Sequence, residues 1–310
     1  MKREKKGKRK YKKSVVFQSY LVLSPQIIGF FVFSLYPIYY ILRYSFTDYD
    51  GLKGSFVGLA NYIEIFTSDA TFWNSLANTF IITGMRMVLM IPLSFFLAML
   101  LCSKSLKAKR LFSTALFLPS VIGVATTAMI FRYIFRTYNG LINNIFMDLG
   151  ILNTAVNWLG NKWTALLVTS LMATWMNFPI YMMYFCGAIS GVSEDLYEAA
   201  KIDGCGWLRS VFSITLPLIA PIFKVILMLE ITGAMKTMNT TMLLTNGGPN
   251  GKTNVVMLYL YNLFFGTTSG GGSYTSEIGY ASAGSIILTV IIGIITVIYL
   301  RITKKLDELC

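Results

Sequence analysis

Six apolar stretches, at about residues 16–46, 74–102, 111–135, 163–189, 215–240 and 277–300, constrain this chain more than any other feature. A helix that crosses a bilayer needs about 20 mostly apolar residues, and each stretch meets that length. A barrel strand would be shorter, about 10 residues, with alternating polarity. In hydrocarbon the backbone amides of a segment this long must be satisfied within the segment, so the helix is the available solution. Only 13% of the residues are charged, against about 25% in a soluble domain. The sequence therefore predicts an all-α integral membrane protein with six transmembrane helices.

The formal charge of +13 raises the question of nucleic acid, and the distribution of the charge answers it. Nine of the 27 Lys and Arg residues lie in MKREKKGKRKYKK, directly before the first apolar stretch. More basic residues fall at 103–110, 189–215 and 301–310, whereas the intervening polar segments hold Lys53, Arg132, Arg136, Lys162 and Lys252. Such a bias orients a membrane protein with its basic segments inside, here with both termini cytoplasmic. The basic tail (1–14) reads as a topology signal that touches anionic lipid. The first apolar stretch is too long for a signal-peptide core and no small-residue cleavage site ends it, so it reads as an uncleaved span. Cys102, Cys186, Cys205 and Cys310 all fall at or beyond cytoplasmic ends, where thiols stay reduced, and none has metal-ligand spacing. With no histidine in the chain, His-based triads, metal sites and proton relays are excluded. Neither catalysis nor a bound metal or cofactor is expected.

Several residues stand out along the chain. The first span carries Pro25 and Pro37 and emerges at SFTDYDG (45–51), whose Asp48, Asp50 and Gly51 read as a polar turn. GLANYIEIF (58–66) is a short amphipathic piece, with Leu59, Tyr62, Ile63 and Phe66 at helical spacing. Arg86 lies inside the second span, where a charge is costly unless paired or hydrated. It is either functional or paired, with Glu230 a candidate partner. Pro119 interrupts the third span, and residues 141–149 form an interfacial helix. Trp158 and Trp163 suit the water–lipid boundary. Asn177, Phe178 and Pro179 place an amide and a helix break in the middle of the fourth span. Glu230 and Lys236 lie six apart in the fifth, on different helix faces. LLTNGGPNGKT (243–253) and SGGGS (269–273) are turns, and Gly279, Ala281, Ala283 and Gly284 allow close packing at the start of the sixth span.

Between the fourth and fifth spans lies a polar island, SEDLYEAAKIDGCGWLRSVFSITLPLIAP (193–221). Ser193 suits an N-cap, and Glu194 and Asp195 complement the dipole of the first turn. Asp203-Gly204 ends the helix, the glycine supplying a left-handed residue. A second helix begins near Trp207. Leu196, Ala199 and Ala200 form a small apolar face, which suits either docking into a groove on a soluble partner or rest on the bilayer surface.

The run EAAKIDGCGWLRSVFSITLPLIAP (198–221) resembles the EAA loop of binding-protein-dependent ABC transporter permeases. GLANYIEIF, NGLINNIF (139–146), LLTNGGPNGKT and the small-residue start of the sixth span are similar to the carbohydrate-uptake group, nearest the maltose and glycerol-3-phosphate permeases. The resemblance covers nearly the whole chain. It implies a type I importer permease fold over residues 15–310, with the coupling loop at 190–221, in the bacterial plasma membrane. It further implies a second homologous permease subunit, a dimeric ABC ATPase that binds the nucleotide, and an extracytoplasmic sugar-binding protein. Glu198, Ala199, Ala200, Asp203 and Gly204 would couple to the ATPase. The matching substrate-pathway positions are Met176, Asn177, Gly233, Ala234, Lys236 and Thr237. Ala234 and Lys236 depart from the amide-rich maltose pattern and Lys236 suggests an anionic saccharide, unless it snorkels outward. Cys205 stands where alanine is usual.

The expected function is therefore sugar or oligosaccharide import by alternating access. The competing readings are import of glycerol phosphate or another polyol derivative, an ion-coupled carrier using Arg86, Glu230 and Lys236, and a scaffold or receptor. The chain contains no GxxxxGK[ST], so ATP hydrolysis would belong to a partner.

Overall fold

The computed structural model describes residues 13–103 and 106–307; most of the basic tail, Lys104 and Cys310 lie outside the described residues. The chain is helical nearly throughout. Its first apolar stretch forms α1 (Lys13–Phe30) and α2 (Tyr36–Tyr44), joined without interruption by a π-helical turn, Phe31–Leu35. A second π turn, Val211–Thr215, joins α10 (Trp207–Ser210) to α11 (Leu216–Met235). Each wide turn ends two residues before a proline, Pro37 or Pro217, whose ring and missing N–H forbid the ordinary ladder bond there.

The other long helices are α4 (Ala70–Cys102), α8 (Lys162–Ser190) and α14 (Ile278–Asp307). Shorter ones are α3 (Ala60–Thr67), α5 (Lys109–Val121), α6 (Val124–Ile134), α7 (Leu141–Asp148), α9 (Glu194–Ile202), α12 (Asn239–Leu244) and α13 (Val256–Phe265). A two-stranded hairpin, β1 (Thr268–Ser269) and β2 (Gly272–Ser273), turns at the glycine run. Among the described residues five helices are long and apolar enough to cross a bilayer: Tyr20–Tyr44, α4, α8, Trp207–Met235 and α14.

The third apolar stretch departs from expectation. It is not one helix over 111–135 but α5 and α6, meeting at 94°. The break falls at Ile122 and Gly123, both extended, and not at Pro119, which stays buried within α5. Both halves pack on α8, and α6 also packs on α12.

A second correction concerns the fourth stretch, where α8 passes through Asn177, Phe178 and Pro179 without a break. Ser94 of α4 donates to the Phe178 carbonyl (3.1 Å), and Asn177 Nδ2 bonds the Ala173 carbonyl of its own helix (2.7 Å). Both bonds tie side-chain donors to backbone carbonyls next to the proline, one from α4 and one within α8. The break at that depth occurs in the fifth stretch, where α11 stops at Met235 and not near residue 240.

α8 is the centre of the bundle, with 56% of its most apolar window buried, against 33% for α4 and none for Tyr20–Tyr44. Toward the island, Met90 and Ala98 of α4 pack with Met182 and Phe185 of α8 and with Ile219 and Ile226 of α11. At the far end, Phe72 and Leu76 pack with Tyr259 and Leu260 of α13 and with Ala281 and Ala283 of α14. There the Asp69 carboxylate caps α4 through Phe72 N (2.8 Å) and accepts from Tyr259 Oη (2.8 Å) and Tyr280 Oη (2.9 Å). One side chain ties three helices together.

The turn after α2 is built as expected. Asp50 accepts from the backbone N–H groups of Leu52 (2.8 Å) and Lys53 (2.7 Å), which hold its carboxyl below the usual range. This turn also receives the start of α14, where Gly279 N donates to Tyr49 O (2.8 Å). A Cβ on Gly279 would lie 1.9 Å from the Thr47 carbonyl oxygen, so only glycine admits this approach. Gly279→Ala is expected to cost about 1–3 kcal/mol, the usual penalty of overpacking. Gly293→Ala on the same helix meets nothing within 4 Å and serves as the neutral control. Thermal unfolding in detergent measures both.

Candidate functional site

The island folds as two helices around a left-handed glycine. Ser193 occupies the N-cap with extended backbone, yet its hydroxyl pairs with Asp195 Oδ2 (3.3 Å) and caps no backbone N–H. α9 ends in a Schellman pair of bonds: Gly204 N to Lys201 O (3.1 Å) and Cys205 N to Ala200 O (2.8 Å). Gly204 has φ +73° and open space around it, so its requirement is conformational and not steric.

Of the expected apolar face, Ala200 turns inward and is buried, while Ala199 stays exposed and Leu196 is 44% exposed. The exposed stripe continues to Ile202, at 87%, which sequence reasoning passed over because it reads as an ordinary helix-end residue. Glu198, Asp203 and Gly204 are exposed and Cys205 is half-buried. Trp207, Leu208 and Phe212 extend the apolar surface along the next helix. Tyr197 Oη bonds Thr215 Oγ1 (2.9 Å), which fastens α9 to the start of α11. Any force on α9 therefore reaches α8, which leads into it, and α11, which leaves it.

The second cluster lies at the middle of α4. Arg86 is 16 residues from either end of that helix (70 to 86, and 86 to 102), is 3% exposed, and faces the wholly buried Glu230. Its Nε lies 3.0 Å from Glu230 Oε1, and Nη2 donates to Oε2 at 3.1 Å. This is the one salt bridge among the described residues. The third nitrogen, Nη1, reaches Thr237 Oγ1 (3.4 Å), whose hydroxyl donates to Gly233 O (2.9 Å). Tyr181 of α8 lies against the same carboxylate. Arg86 thus holds both the body of α11 and the chain just past its end.

The structure brings Arg86, Glu230, Gly233 and Thr237 together. Lys236 caps the end of α11 and is exposed beside Gly233, while Ala234 is buried. On α8, Met176 and Asn177 are half-buried; Met176 packs among Ala128, Met172 and Leu244, toward α6 and α12. Tyr181 and Ser94 were missed in the sequence because a lone hydroxyl in an apolar run carries no signal of its partner.

This frame, in which an exposed helical island joins a bundle with a charged middle, has a counterpart in a described family. The binding-protein-dependent transport system inner membrane component matches residues 90–308. The chain belongs to this family. Among similar permeases is the arabinooligosaccharides transport system permease protein AraP of Bacillus subtilis, 32% identical over 286 residues, covering 92% of this chain and 88% of that one. The lactose transport system permease protein LacF of Rhizobium radiobacter is 28% identical over 280 residues, covering 89% and 91%. The fold matches a crystal structure of a bacterial alginate ABC transporter in complex with an alginate pentasaccharide-bound periplasmic protein. The TM-score is 0.81 at 20% identity, covering 94% of this chain and 96% of that one. These relatives are transport subunits and not enzymes.

Proposed function

We propose that this permease forms half of the translocation pathway of an ATP-driven saccharide importer in a bacterial plasma membrane. A second permease subunit completes the pathway, a dimeric ATPase docks on the island, and an extracytoplasmic binding protein delivers substrate at the opposite end. The observation that carries the reading is α9. Its exposed stripe of Leu196, Ala199 and Ile202 ends at a glycine-locked stop and is fastened to the two helices that hold the mid-membrane residues. The similar arabinooligosaccharide and lactose permeases, and the alginate transporter, support a saccharide cargo.

In this reading residues 15–310 form one permease domain that crosses the bilayer six times, the bent α5–α6 pair acting as one crossing. The basic tail and the C-terminus are cytoplasmic. Glu198, Ala199, Asp203 and Gly204 face the ATPase, and Ala200 seats α9 on its own subunit. Closure of the ATPase dimer moves α9, and with it α8 and α11, which alternates access to a site near Met176, Asn177, Gly233, Ala234, Lys236 and Thr237. ATP and its metal are bound by the partner. The full assembly in proteoliposomes is expected to accumulate oligosaccharide only with internal ATP and loaded binding protein. Uptake driven by an ion gradient without ATP would overturn the reading in favour of a secondary carrier.

Lys236 bears on the cargo. It is exposed at the broken end of α11, no salt bridge among the described residues engages it, and it suits an anionic saccharide. Lys236→Gln is expected to raise the half-saturation concentration for a uronate oligosaccharide about tenfold. That is the loss of one charge-assisted hydrogen bond. Uptake of a neutral oligosaccharide of equal length is unaffected. An unchanged uronate value would remove Lys236 from the pathway.

A further inference from the structure

At the pole opposite α9 a cleft of about 570 Å³ opens between the N-terminal ends of α4 and α8 and the turn before α13. The separation is the length of α8, 29 residues or about 43 Å. The cleft takes no part in the reading above. Its volume lies in the range of small-molecule sites, about 300–1,000 Å³.

The lining has a definite chemistry. Four amides converge on it, Asn74 and Asn78 from α4, Asn161 from the start of α8, and Asn250 from the turn, with Thr71 beside them. Asn78 spends its donors on the turn and Asn161 Oδ1 accepts from Trp163 N (2.9 Å), so Asn74 and Asn250 face the cleft with the mixed donors and acceptor that suit vicinal hydroxyls. Asn78 is 1% exposed and forms the floor of the cleft, its Nδ2 holding the turn through Lys252 O and Asn254 O (both 2.9 Å). At the rim, Trp163 is 58% exposed and presents a flat ring of the kind on which the C–H face of a pyranose stacks. Among the described residues the charges in the lining are Lys162, 5.8 Å from the centre of that ring, and Lys252.

We infer that this cleft is a loading subsite for a saccharide, holding one or two sugar units after the binding protein releases them and before they reach the middle of the bundle. Amides and one aromatic face specify a hydroxyl-rich ligand, and the two lysines with no carboxylate favour a uronate over a neutral unit. A peptide loop of the binding protein is the competing occupant. Side-chain amides beside an exposed indole face fit hydroxyls better than a main chain. The inference rests on the saccharide-importer reading and extends it to a second site.

The test uses the permease–ATPase assembly in nanodiscs without binding protein. Intrinsic fluorescence is titrated with a uronate tetrasaccharide and with a neutral tetrasaccharide. Saturable binding is expected, with the uronate tighter. Asn74→Leu and Trp163→Ala, both at the exposed rim, are expected to weaken it about tenfold each, the size of one lost hydrogen bond or aromatic contact. Lys252→Gln removes the preference for the uronate. Absence of saturable binding, or unchanged affinity in both rim variants, overturns the subsite. ATP-driven uptake by the unaltered protein in proteoliposomes then still stands as separate support for the importer reading. If the variants instead weaken the docking of sugar-free binding protein to the nanodiscs, the cleft is a protein interface and the subsite is wrong. Uptake of no saccharide by the unaltered assembly would refute the importer reading on its own terms.

Discussion

Glu230→Gln is expected to cost the folded protein about 3–5 kcal/mol, because it leaves the Arg86 guanidinium buried without its counter-charge. The pair is 3% and 0% exposed and joined by two N–O approaches near 3 Å, so no water stands ready to replace the carboxylate. Arg86→Met strands the carboxylate in the same way and is expected to lose a similar amount. Replacing both together, by Met at 86 and Leu at 230, removes the charges as a set. A buried pair exchanged for apolar residues of like volume is often neutral or stabilising. The double variant is therefore expected to regain its membrane abundance and thermal midpoint. Its transport is expected to stay low, since Thr237 has lost the Nη1 contact that fixes the chain beyond α11. Thermal unfolding of all four proteins in detergent gives the coupling, and uptake assays give the functional remainder. Singles as stable as the parent would show that the pair is hydrated and the geometry unimportant. A double variant with full uptake would confine the pair to a structural role.

The second large effect is at the island. Gly204→Val is expected to abolish uptake and to reduce recovery of the ATPase with the permease by more than tenfold, while the permease itself still inserts and folds. At φ +73° a β-branched side chain is strained by about 1–3 kcal/mol. The cheapest relief is to give up the two Schellman bonds, which lets α9 run on and swings its exposed stripe away. Gly204→Asn, which tolerates the left-handed region, is expected to keep most of both activities. Gly206→Ala, at an ordinary φ of −69° with open space, is the control and is expected to change nothing. Normal ATPase recovery and uptake in Gly204→Val would place coupling elsewhere than in this helix stop.

These two sites differ in how far the sequence revealed them. Gly204 was legible because its need is local: an acidic start, a short helix and an Asp-Gly stop describe one backbone conformation. The small residues at 279–284 were legible for a related reason, since a missing side chain advertises close approach even before the neighbour is known. Glu230 was a candidate partner for Arg86 only because charges are so few. Nothing in the spacing of residues 144 apart fixes that the guanidinium also reaches Thr237, or that Tyr181 lies against the same carboxylate. The same limit explains Pro119 and Pro179. Proline weakens a ladder locally, but whether the helix then breaks depends on what lies beside it. α8, packed closely on α4, runs on through Pro179, while α5 and α6 part at Ile122–Gly123, both resting on α8 and α6 also on α12.

By itself the sequence determined the membrane class, the helical character of its apolar stretches, the polar island between two of them and the family to which that island points. Each is set by hydrophobic length or by backbone chemistry within a few residues. Only the tertiary structure decided that the helix break falls after Met235, beside Arg86, which charges meet, which side of α9 remains exposed, and that four separated asparagines share one cleft. Those outcomes depend on packing between elements far apart in the chain. A one-dimensional pattern of polarity holds no distance between them.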